Sequence, residues 1–308
     1  MKTETRSFYE DAVSRAVSRV ASQLDDALDL TRLARGAALS PFHFHRVFRG
    51  MVGETPLELH RRLRMERAAW RILHGDAGIT VVAFDAGYET HEAFTRAFRQ
   101  LYGVPPSSFR LHANREGDDG ALPRSFELAA RCGIHFNPPG SAEPNVHFIS
   151  GGQPMNVEIK EMPELRVATV RHIGPYPRIS EAFRKLGAIA GAAGLYAYPE
   201  AAMIAVYYDD TDSTLPEELR SDAGLSVPEG RALPEGLGEA RIRAGRYACT
   251  THRGSYKKLG DAWSRLMGEW LPRSGERVGE GVSFEIYRNH PGNAEEAELR
   301  TELFVPLA

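Results

Sequence analysis

The sequence predicts a multidomain protein in which an all-α domain precedes an α+β domain. Two internal repeats carry this prediction. Helical segments recur after about fifty residues in the first third, and a strand-and-helix pattern recurs after about eighty residues in the second half. A segment rich in glycine, proline and aspartate separates the repeats. We therefore expect an all-α domain at residues 1–111, a linker at 112–154 and an α+β domain at 155–308.

The composition is that of an ordinary globular protein, because 42% of the 308 residues are hydrophobic and 26% are charged. The opening residues carry charges and lack the apolar stretch of a signal peptide. No later run reaches the roughly 18 to 20 apolar residues that cross a bilayer, so we expect a cytoplasmic protein without membrane contact. Cys132 and Cys249 lie far apart and in no CxxC pair, which excludes a disulfide framework and a four-cysteine zinc site.

The first repeat aligns two helix starts. Ser40 and Thr90 each precede an apolar-periodic segment and are residue types that cap helices. The identities fifty residues apart are Phe44/Phe94, Arg46/Arg96, Phe48/Phe98 and Arg49/Arg99. Side chains four positions apart share one face of a helix. We therefore assign the four phenylalanines, together with Trp70, to the core.

A shorter helical stretch precedes each of these helices, at residues 30–35 and 79–84, and a glycine-containing break follows it. Short helix, tight turn and second helix form the helix-turn-helix plan, in which the second helix enters the major groove of DNA. A capping box at residues 55–58 begins a long connecting helix. Residues 41–71 hold seven arginines against three glutamates, a balance that a DNA-binding face and a solvated helix face explain equally well.

The runs LARGAALSPFHFHRVFRG and AFDAGYETHEAFTRAFRQLYGVPPSSFR resemble the DNA-binding domain of the AraC/XylS family, over the first 111 residues. The resemblance implies seven helices, with recognition helices near residues 41–51 and 91–101. It also implies double-stranded DNA as the partner and contact with RNA polymerase in an activator role.

The DNA-contacting positions lie on the two recognition helices. The resemblance maps base-facing positions to one set of side chains, and helical periodicity adds the last arginine of each helix: Phe42, His45, Arg46, Arg49, Glu92, Thr95, Arg96 and Arg99. Arginine can bind guanine O6 and N7 through two hydrogen bonds. A surface or phosphate-binding role for Arg46 and Arg96 is the alternative.

The linker contains three possible metal ligands, Cys132, His135 and His147, without a fourth. We therefore expect no metal there. Residues 125–136 are expected to form a short strand or turn that packs on one of the domains.

The second repeat shows the frame R-x-A-x3-H-x-G-x-Y at residues 166–176 and again at 246–256. We expect a strand near 166–172, a helix near 178–191, and strands near 202–208 and 220–228, with counterparts eighty residues later. The product is a pseudo-symmetric, duplicated βαββ domain with its helices on one face of the sheet.

Residues 155–308 resemble the GyrI-like effector-binding domain, notably in MNVEIKEMPELRVATVRHIGPY and FEIYRNHPGNAEEAELRTELFVPL. Joined to the AraC-type helices, the order of domains is similar to that of Rob-type regulators. The resemblance implies a cleft between the two halves that accepts aromatic or cationic small molecules around a glutamate. That glutamate maps to Glu285.

Alternation along residues 283–288 supports this position independently. Phe284 and Ile286 are expected to point toward the helices, and Glu285 and Tyr287 toward the opposite, open face, beside Tyr207. A carboxylate among aromatic rings favours a lipophilic cation. An ion pair with an arginine is the alternative role of this carboxylate. Two weaker candidates for the site are Tyr256 and Trp263, of which the tryptophan fits the core equally well.

Two other functions stay open for the C-terminal domain. One is a hydrolase, with Glu285 and Tyr287 or Tyr207 as acid-base groups. The other is a protein-binding module that sequesters partners or the regulator itself. The sequence offers no Ser/His/Asp arrangement, metal set or phosphate loop. We therefore predict a DNA-binding regulator that senses a small molecule, without catalytic residues or a cofactor.

Overall fold

The computed structural model describes residues 2–113, 132–138, 146–149, 155–209, 211 and 214–308. The chain divides into two compact units. The first unit comprises Met1–Ala12, Leu30–Met51 and Ser150–Ala308, and the second comprises Val13–Asp29 and Val52–Ile149. The first helix-turn-helix therefore belongs to the unit that contains the β-sheet, and the second belongs to the other unit.

Seven helices lie within residues 2–113, as predicted. They are α1 (Lys2–Ser22), α2 (Leu30–Gly36), α3 (Pro41–Val52), α4 (Pro56–His74), α5 (Ile79–Asp85), α6 (His91–Tyr102) and α7 (Pro106–Ala113). The two recognition helices, α3 and α6, begin where the sequence predicts and end one residue later. None of the described helices combines the length and the apolar composition that crossing a bilayer requires.

Local signals set the ends of these helices. The predicted capping box is formed: the Glu58 backbone N–H donates to Thr55 Oγ1 (3.1 Å), and the Thr55 N–H donates to Glu58 Oε2 (2.8 Å). Thr90 caps α6 by accepting from the Ala93 N–H at 3.1 Å. Gly87, in the turn before α6, has a φ of 81°, in the left-handed region that glycine enters without strain. The two caps thus fix the starts of α4 and α6.

Aromatic side chains form much of the helical core. Phe94 and Phe98 are fully buried and pack with Tyr102 and Phe109 in the second unit. Phe44 and Phe48 are also buried, as predicted. Trp70 differs from the prediction, because it is only partly buried and packs against Phe136 (ring centroids 6.2 Å apart) and His74 (5.3 Å).

A short piece of the predicted linker packs on α4. Glu66 is 2% exposed and accepts from the Phe136 N–H (2.7 Å), while Arg62 donates to both Glu66 (2.7 Å) and the Ile134 carbonyl (2.8 Å). Ile134 is fully buried. The predicted packing on a domain thus holds for residues 132–136, whereas residues 125–131 lie outside the described part. Among described residues, no group of three or more histidine, cysteine, aspartate or glutamate side chains is arranged to hold a metal ion.

Eight antiparallel strands form one sheet in the first unit. They are β1 (Glu158–Met162), β2 (Leu165–Ile173), β3 (Met203–Tyr207), β4 (Arg220–Ser226), β5 (Gly238–Ile242), β6 (Gly245–Arg253), β7 (Phe284–Tyr287) and β8 (Arg300–Pro306). Their spatial order is β1-β6-β8-β7-β3-β4-β2-β5. Exchanging β1–β4 for β5–β8 maps this order onto itself in reverse. The predicted duplication is therefore built into the sheet, and its centre is the β3–β7 pair.

Helices α8 (Ser180–Ala192), α9 (Leu259–Arg265) and α10 (Leu271–Ser274) follow β2 and β6, and a π-helical turn at Leu266–Trp270 joins the last two. The predicted βαββ order is confirmed in both halves. The structure adds β1 and β5, which the sequence analysis missed. Both are short, largely exposed edge strands with several charged residues, so they lack the apolar alternation that identifies a half-buried strand.

One orientation was predicted wrongly. Phe284 and Ile286 point away from the helices and pack with Tyr247 and Phe304 on the other face of the sheet. The rings of Phe284 and Phe304 stack at 4.6 Å. Tyr287 instead packs with the apolar cluster that contains α8. Alternation separates two faces of a strand but does not state which face the helices cover, and here both faces are buried.

Candidate functional site

Glu285 occupies the centre of the duplicated sheet, on β7 opposite Ala205 of β3. Its side chain faces the helices and is 2% exposed. Trp263 Nε1–H donates to Oε1 (2.6 Å), and the hydroxyl groups of Tyr287 (2.6 Å) and Tyr207 (3.3 Å) donate to Oε2. Three donors from three elements therefore hold the carboxylate in one orientation.

Aromatic side chains surround this carboxylate in pairs that the duplication relates. Residues eighty apart are Tyr176 and Tyr256, Phe183 and Trp263, and Tyr207 and Tyr287. The Tyr176 and Tyr207 rings lie 4.8 Å apart, and the Tyr256 and Tyr287 rings lie 5.3 Å apart. We call these six side chains and Glu285 the aromatic site. Its wall is nearly symmetric, while its charge is not, because alanine stands where the first half would supply a second carboxylate.

The turns of the two halves anchor the outer tyrosines in the same way. Tyr176 Oη–H donates to the Asp209 carbonyl at 2.7 Å, and Tyr256 Oη–H donates to the Asn289 carbonyl at 3.2 Å. Burial, and then the charge of Glu285, raises the pKa of Tyr207 and Tyr287 well above the usual phenol value. The hydroxyl groups of Tyr207 and Tyr287 therefore stay protonated at neutral pH.

The structure brings all five sequence-predicted residues together: Glu285, Tyr287, Tyr207, Tyr256 and Trp263. Sequence reasoning missed Tyr176 and Phe183. The repeat contained the signal for both, since each aligns with a predicted member of the site at an offset of eighty residues.

A cation from the chain's own N-terminal region lies against this site. The Cζ atom of Arg46, on α3, is 4.3 Å from the centre of the Trp263 ring and 4.4 Å from that of Phe42. Burial lowers the pKa of Arg46 to about 10, against the opposing attraction of the Glu285 charge. Among described residues, no carboxylate oxygen lies within 4 Å of the guanidinium. Arg46 therefore interacts with the Glu285 charge over a distance. The two side chains do not form the direct ion pair that was the alternative role of Glu285.

Two more contacts hold α3 on the sheet-containing region of the first unit. His43 is buried, and its Nε2 and Nδ1 atoms lie 2.9 Å from Ser283 Oγ and 3.0 Å from Ser40 Oγ. Burial, and then the charge of Arg46, lowers the pKa of His43 to about 4. Gly50 meets Gly268 of the π-helical turn so closely that a methyl group on either glycine would overlap the backbone of the other segment.

The predicted DNA-contacting residues divide by helix. On α3, Phe42 and His45 are buried, Arg46 is partly buried and Arg49 is exposed. On α6, Thr95 is partly buried, whereas Glu92, Arg96 and Arg99 are exposed. The solvent-facing side of α6 thus carries the predicted contacts, and most of those on α3 are turned inward. A base-contacting role for either set stays a prediction.

Two open clefts lie away from the aromatic site. One, of about 360 Å³, is lined by Arg67, Trp70 and Phe136 among others, and another, of about 420 Å³, includes Arg171, Tyr208 and Asp222. The first includes two guanidinium groups and the second an arginine and a lysine side chain. Neither cleft includes a residue of the aromatic site.

Known families account for most of the chain. Residues 155–308 match the family described as a GyrI-like small molecule binding domain, and residues 33–112 match a helix-turn-helix domain. The chain is 32% identical over 108 residues to YbfP, an uncharacterized helix-turn-helix transcriptional regulator of Bacillus subtilis. The aligned segment covers 35% of this chain and 37% of YbfP. The chain thus spans little more than a third of that relative.

Two relatives match the C-terminal half. Identity is 32% over 140 residues with a DNA gyrase inhibitor of Yersinia enterocolitica (44% of this chain, 87% of the relative). It is 27% over 157 residues with the probable transcriptional regulator YgiV of Escherichia coli (50% and 97%).

Solved structures similar to the chain include the C-terminal domain of EcmrR, at 22% identity and a TM-score of 0.41, over 51% of this chain and 99% of that one. They also include a hydrolase from Listeria innocua, at 16% identity and a TM-score of 0.37, over 51% and 94%.

Proposed function

The chain belongs to the GyrI-like small-molecule-binding family and is a helix-turn-helix transcription regulator, and we propose that its effector is an aromatic cation bound at Glu285. One observation carries this proposal. A carboxylate that is 2% exposed lies inside a wall of aromatic rings, with both oxygens held by fixed donors.

The chemistry of the site selects for charge and shape together. A lipophilic cation gains attraction from the carboxylate and from each ring face, with about 0.5 to 2 kcal/mol for each cation-π contact. Because Tyr207 and Tyr287 stay protonated, the carboxylate is the site's single negative charge. A neutral aromatic ligand would gain the ring contacts but not the charge attraction, so the site should distinguish isosteres by charge.

We assign Glu285 a binding role and not a catalytic one. Trp263 and the two tyrosines already donate to both carboxylate oxygens, which leaves the carboxylate poorly placed to take a proton from a reacting group. This proposal disfavours the hydrolase alternative for the domain.

For DNA, we propose that the exposed side of α6 enters a major groove, with Arg96 and Arg99 as the cationic contacts. We propose the same function for α3 once its inward-facing residues are freed. We also propose contact with RNA polymerase and an activator role, which the resemblance to the AraC/XylS family implies, and a cytoplasmic location, where a DNA-binding regulator meets its DNA.

Calorimetric titration tests the effector proposal with two ligands that differ only in charge. Benzyltrimethylammonium carries a quaternary nitrogen, and neopentylbenzene replaces that nitrogen with carbon. The full chain should bind the cation more tightly than the neutral isostere, and Glu285→Gln should remove most of this preference.

Glu239→Gln is the matched control, because Glu239 is a glutamate of the same sheet, on β5 and paired with Arg166 away from the aromatic site. This variant should bind both ligands like the parent chain. Equal binding of the two ligands by the parent, or an unchanged preference in Glu285→Gln, would contradict the proposal.

A further inference from the structure

The predicted recognition helix α3 directs its base-facing side chains toward the aromatic site. Phe42 and Arg46, four positions apart on α3, both lie against Trp263, with the two aromatic ring centres 6.4 Å apart. Trp263 is also the donor that holds Glu285 at 2.6 Å. The Trp263 ring therefore contacts both Arg46 and Glu285, the carboxylate that we propose as the effector's counter-ion.

The Arg46 guanidinium meets the chemical description of a ligand for this site. It is planar and cationic, packs on an aromatic face, and feels the Glu285 charge as its main stabilising electrostatic partner. Its guanidinium stacks on the rings of Phe42 and Trp263, and an external cation could make the same contact with the Trp263 ring. Among the residues that the structure describes, none forms a side-chain hydrogen bond or an ion pair with the Arg46 guanidinium that displacement would break.

We propose that Arg46 is an internal occupant of the aromatic site, and that an effector cation displaces it and thereby frees α3 to bind DNA. This inference rests on the proposed effector function of Glu285. The same side chain cannot both occupy the site and contact a base, so the arrangement seen here represents the form with low affinity for DNA.

The glycine contact between α3 and the π-helical turn sets the distance of this docking. Because Gly50 and Gly268 lack side chains, the two backbones approach directly, and any added methyl group meets main-chain atoms that cannot rotate away. His43 adds the hydrogen bond to Ser283, two residues before Glu285. The α3 helix is thus held at the aromatic site by close packing, a buried imidazole and a cation on aromatic rings.

Linkage fixes the sign of the coupling. If effector and docked α3 compete, effector binding raises DNA affinity, and DNA binding raises effector affinity by the same factor. Any change that weakens the docking without removing a DNA-contacting side chain should raise the affinity for both ligands. Couplings of this kind commonly amount to about 5- to 150-fold.

Three variants of the full chain test the competition by titration with benzyltrimethylammonium. Arg46→Ala removes the internal occupant and should bind the cation at least about fivefold more tightly than the parent. Arg46→Lys keeps a cation and should stay closer to the parent. Gly268→Ala pushes α3 away without altering the aromatic site, and should bind more tightly as well.

Gly260→Ala is the matched control for Gly268→Ala. It is the same substitution, on α9 of the same helical segment, and its added methyl group meets nothing within 4 Å. It should bind the cation like the parent. If Gly268→Ala fails to fold, Arg46→Ala still decides the question, because it shortens a side chain and introduces no overlap.

Amide hydrogen exchange of residues 41–52 gives a second readout on the unmodified chain. The cation should accelerate exchange in α3, since the helix loses its docking contacts, and the Glu285→Gln variant should show no such acceleration. Tighter binding by Arg46→Ala together with faster exchange supports the inference.

The failures are distinguishable. If the parent binds the cation through Glu285 but Arg46→Ala binds it equally or more weakly, Arg46 is no competitor: this inference is overturned and the proposed effector site stands. If neither the parent nor Arg46→Ala binds the cation, the proposed effector class itself is wrong, and the inference falls with it.

Discussion

Acidification should lower the free energy of unfolding through the protonation of His43. The imidazole is buried between Ser40 and Ser283, and burial and the Arg46 charge lower its pKa from 6.5 to about 4. The folded state therefore prefers the neutral ring. The stability that this ring contributes is complete above pH 6.5 and is lost as the pH falls from 6.5 toward 4.

The two pKa values give the size of the effect. The unfolded imidazole binds a proton about 300 times more tightly than the folded one. At pH 5, protonation therefore shifts the folding equilibrium about 30-fold toward the unfolded state, which corresponds to about 2 kcal/mol of unfolding free energy. At pH 7 the difference is only about 0.2 kcal/mol. Between these two pH values, the parent chain should lose about 2 kcal/mol more than a chain without a titrating group at this position.

Urea unfolding at pH 7 and pH 5 measures this loss. The comparison is between the parent and His43→Gln, because glutamine keeps a neutral hydrogen-bonding side chain and does not titrate. All other titrating groups contribute equally to both chains. His91→Gln, a partly exposed histidine on α6, is the control and should retain the parent's pH dependence. Identical pH dependence in the parent and His43→Gln would refute the reasoning.

Two further predictions concern the second unit. Arg62→Ala should lower the free energy of unfolding by about 3 to 5 kcal/mol, because it leaves Glu66, 2% exposed, without its cation. In urea unfolding, Arg67→Ala should cost less than about 1 kcal/mol, since its partner Asp25 is 81% exposed; equal losses would contradict the argument. Arg96→Ala should weaken binding to a selected duplex by about 1 to 3 kcal/mol, whereas Arg15→Ala, exposed on α1, should not; an unchanged affinity for Arg96→Ala would remove its base-reading role.

Local patterns predicted the helices and strands that local interactions determine. The hydroxyl residues at 40 and 90 and the capping box at 55–58 placed the starts of α3, α4 and α6, because capping involves neighbours only three residues away. The eighty-residue repeat predicted six of the eight strands and the position of Glu285. The same repeat also pairs the aromatic residues of the two halves, so the symmetric wall of the site could be predicted from it. Tyr176 and Phe183 were nevertheless not predicted.

Sequence patterns did not predict contacts between residues that lie far apart in the chain. Periodicity placed Phe284 and Glu285 on opposite faces of β7 but could not state which face carries the helices. The same limit applies to Arg46. Its position on the outer side of α3 suggested DNA, whereas its surroundings depend on Trp263, more than two hundred residues away in the chain. Trp70 likewise depends on Phe136 of the linker segment, which no helical pattern connects to α4.

The most direct test of the central claim is selection of duplexes from a random DNA pool by the full chain at physiological salt, with and without benzyltrimethylammonium, followed by affinity measurements on the enriched sequence. A cation-responsive regulator should enrich a motif, bind it at least about fivefold more tightly when the cation is present, and lose this response in Glu285→Gln. An enriched motif whose affinity is indifferent to the cation, or the absence of any enriched motif, would contradict the account.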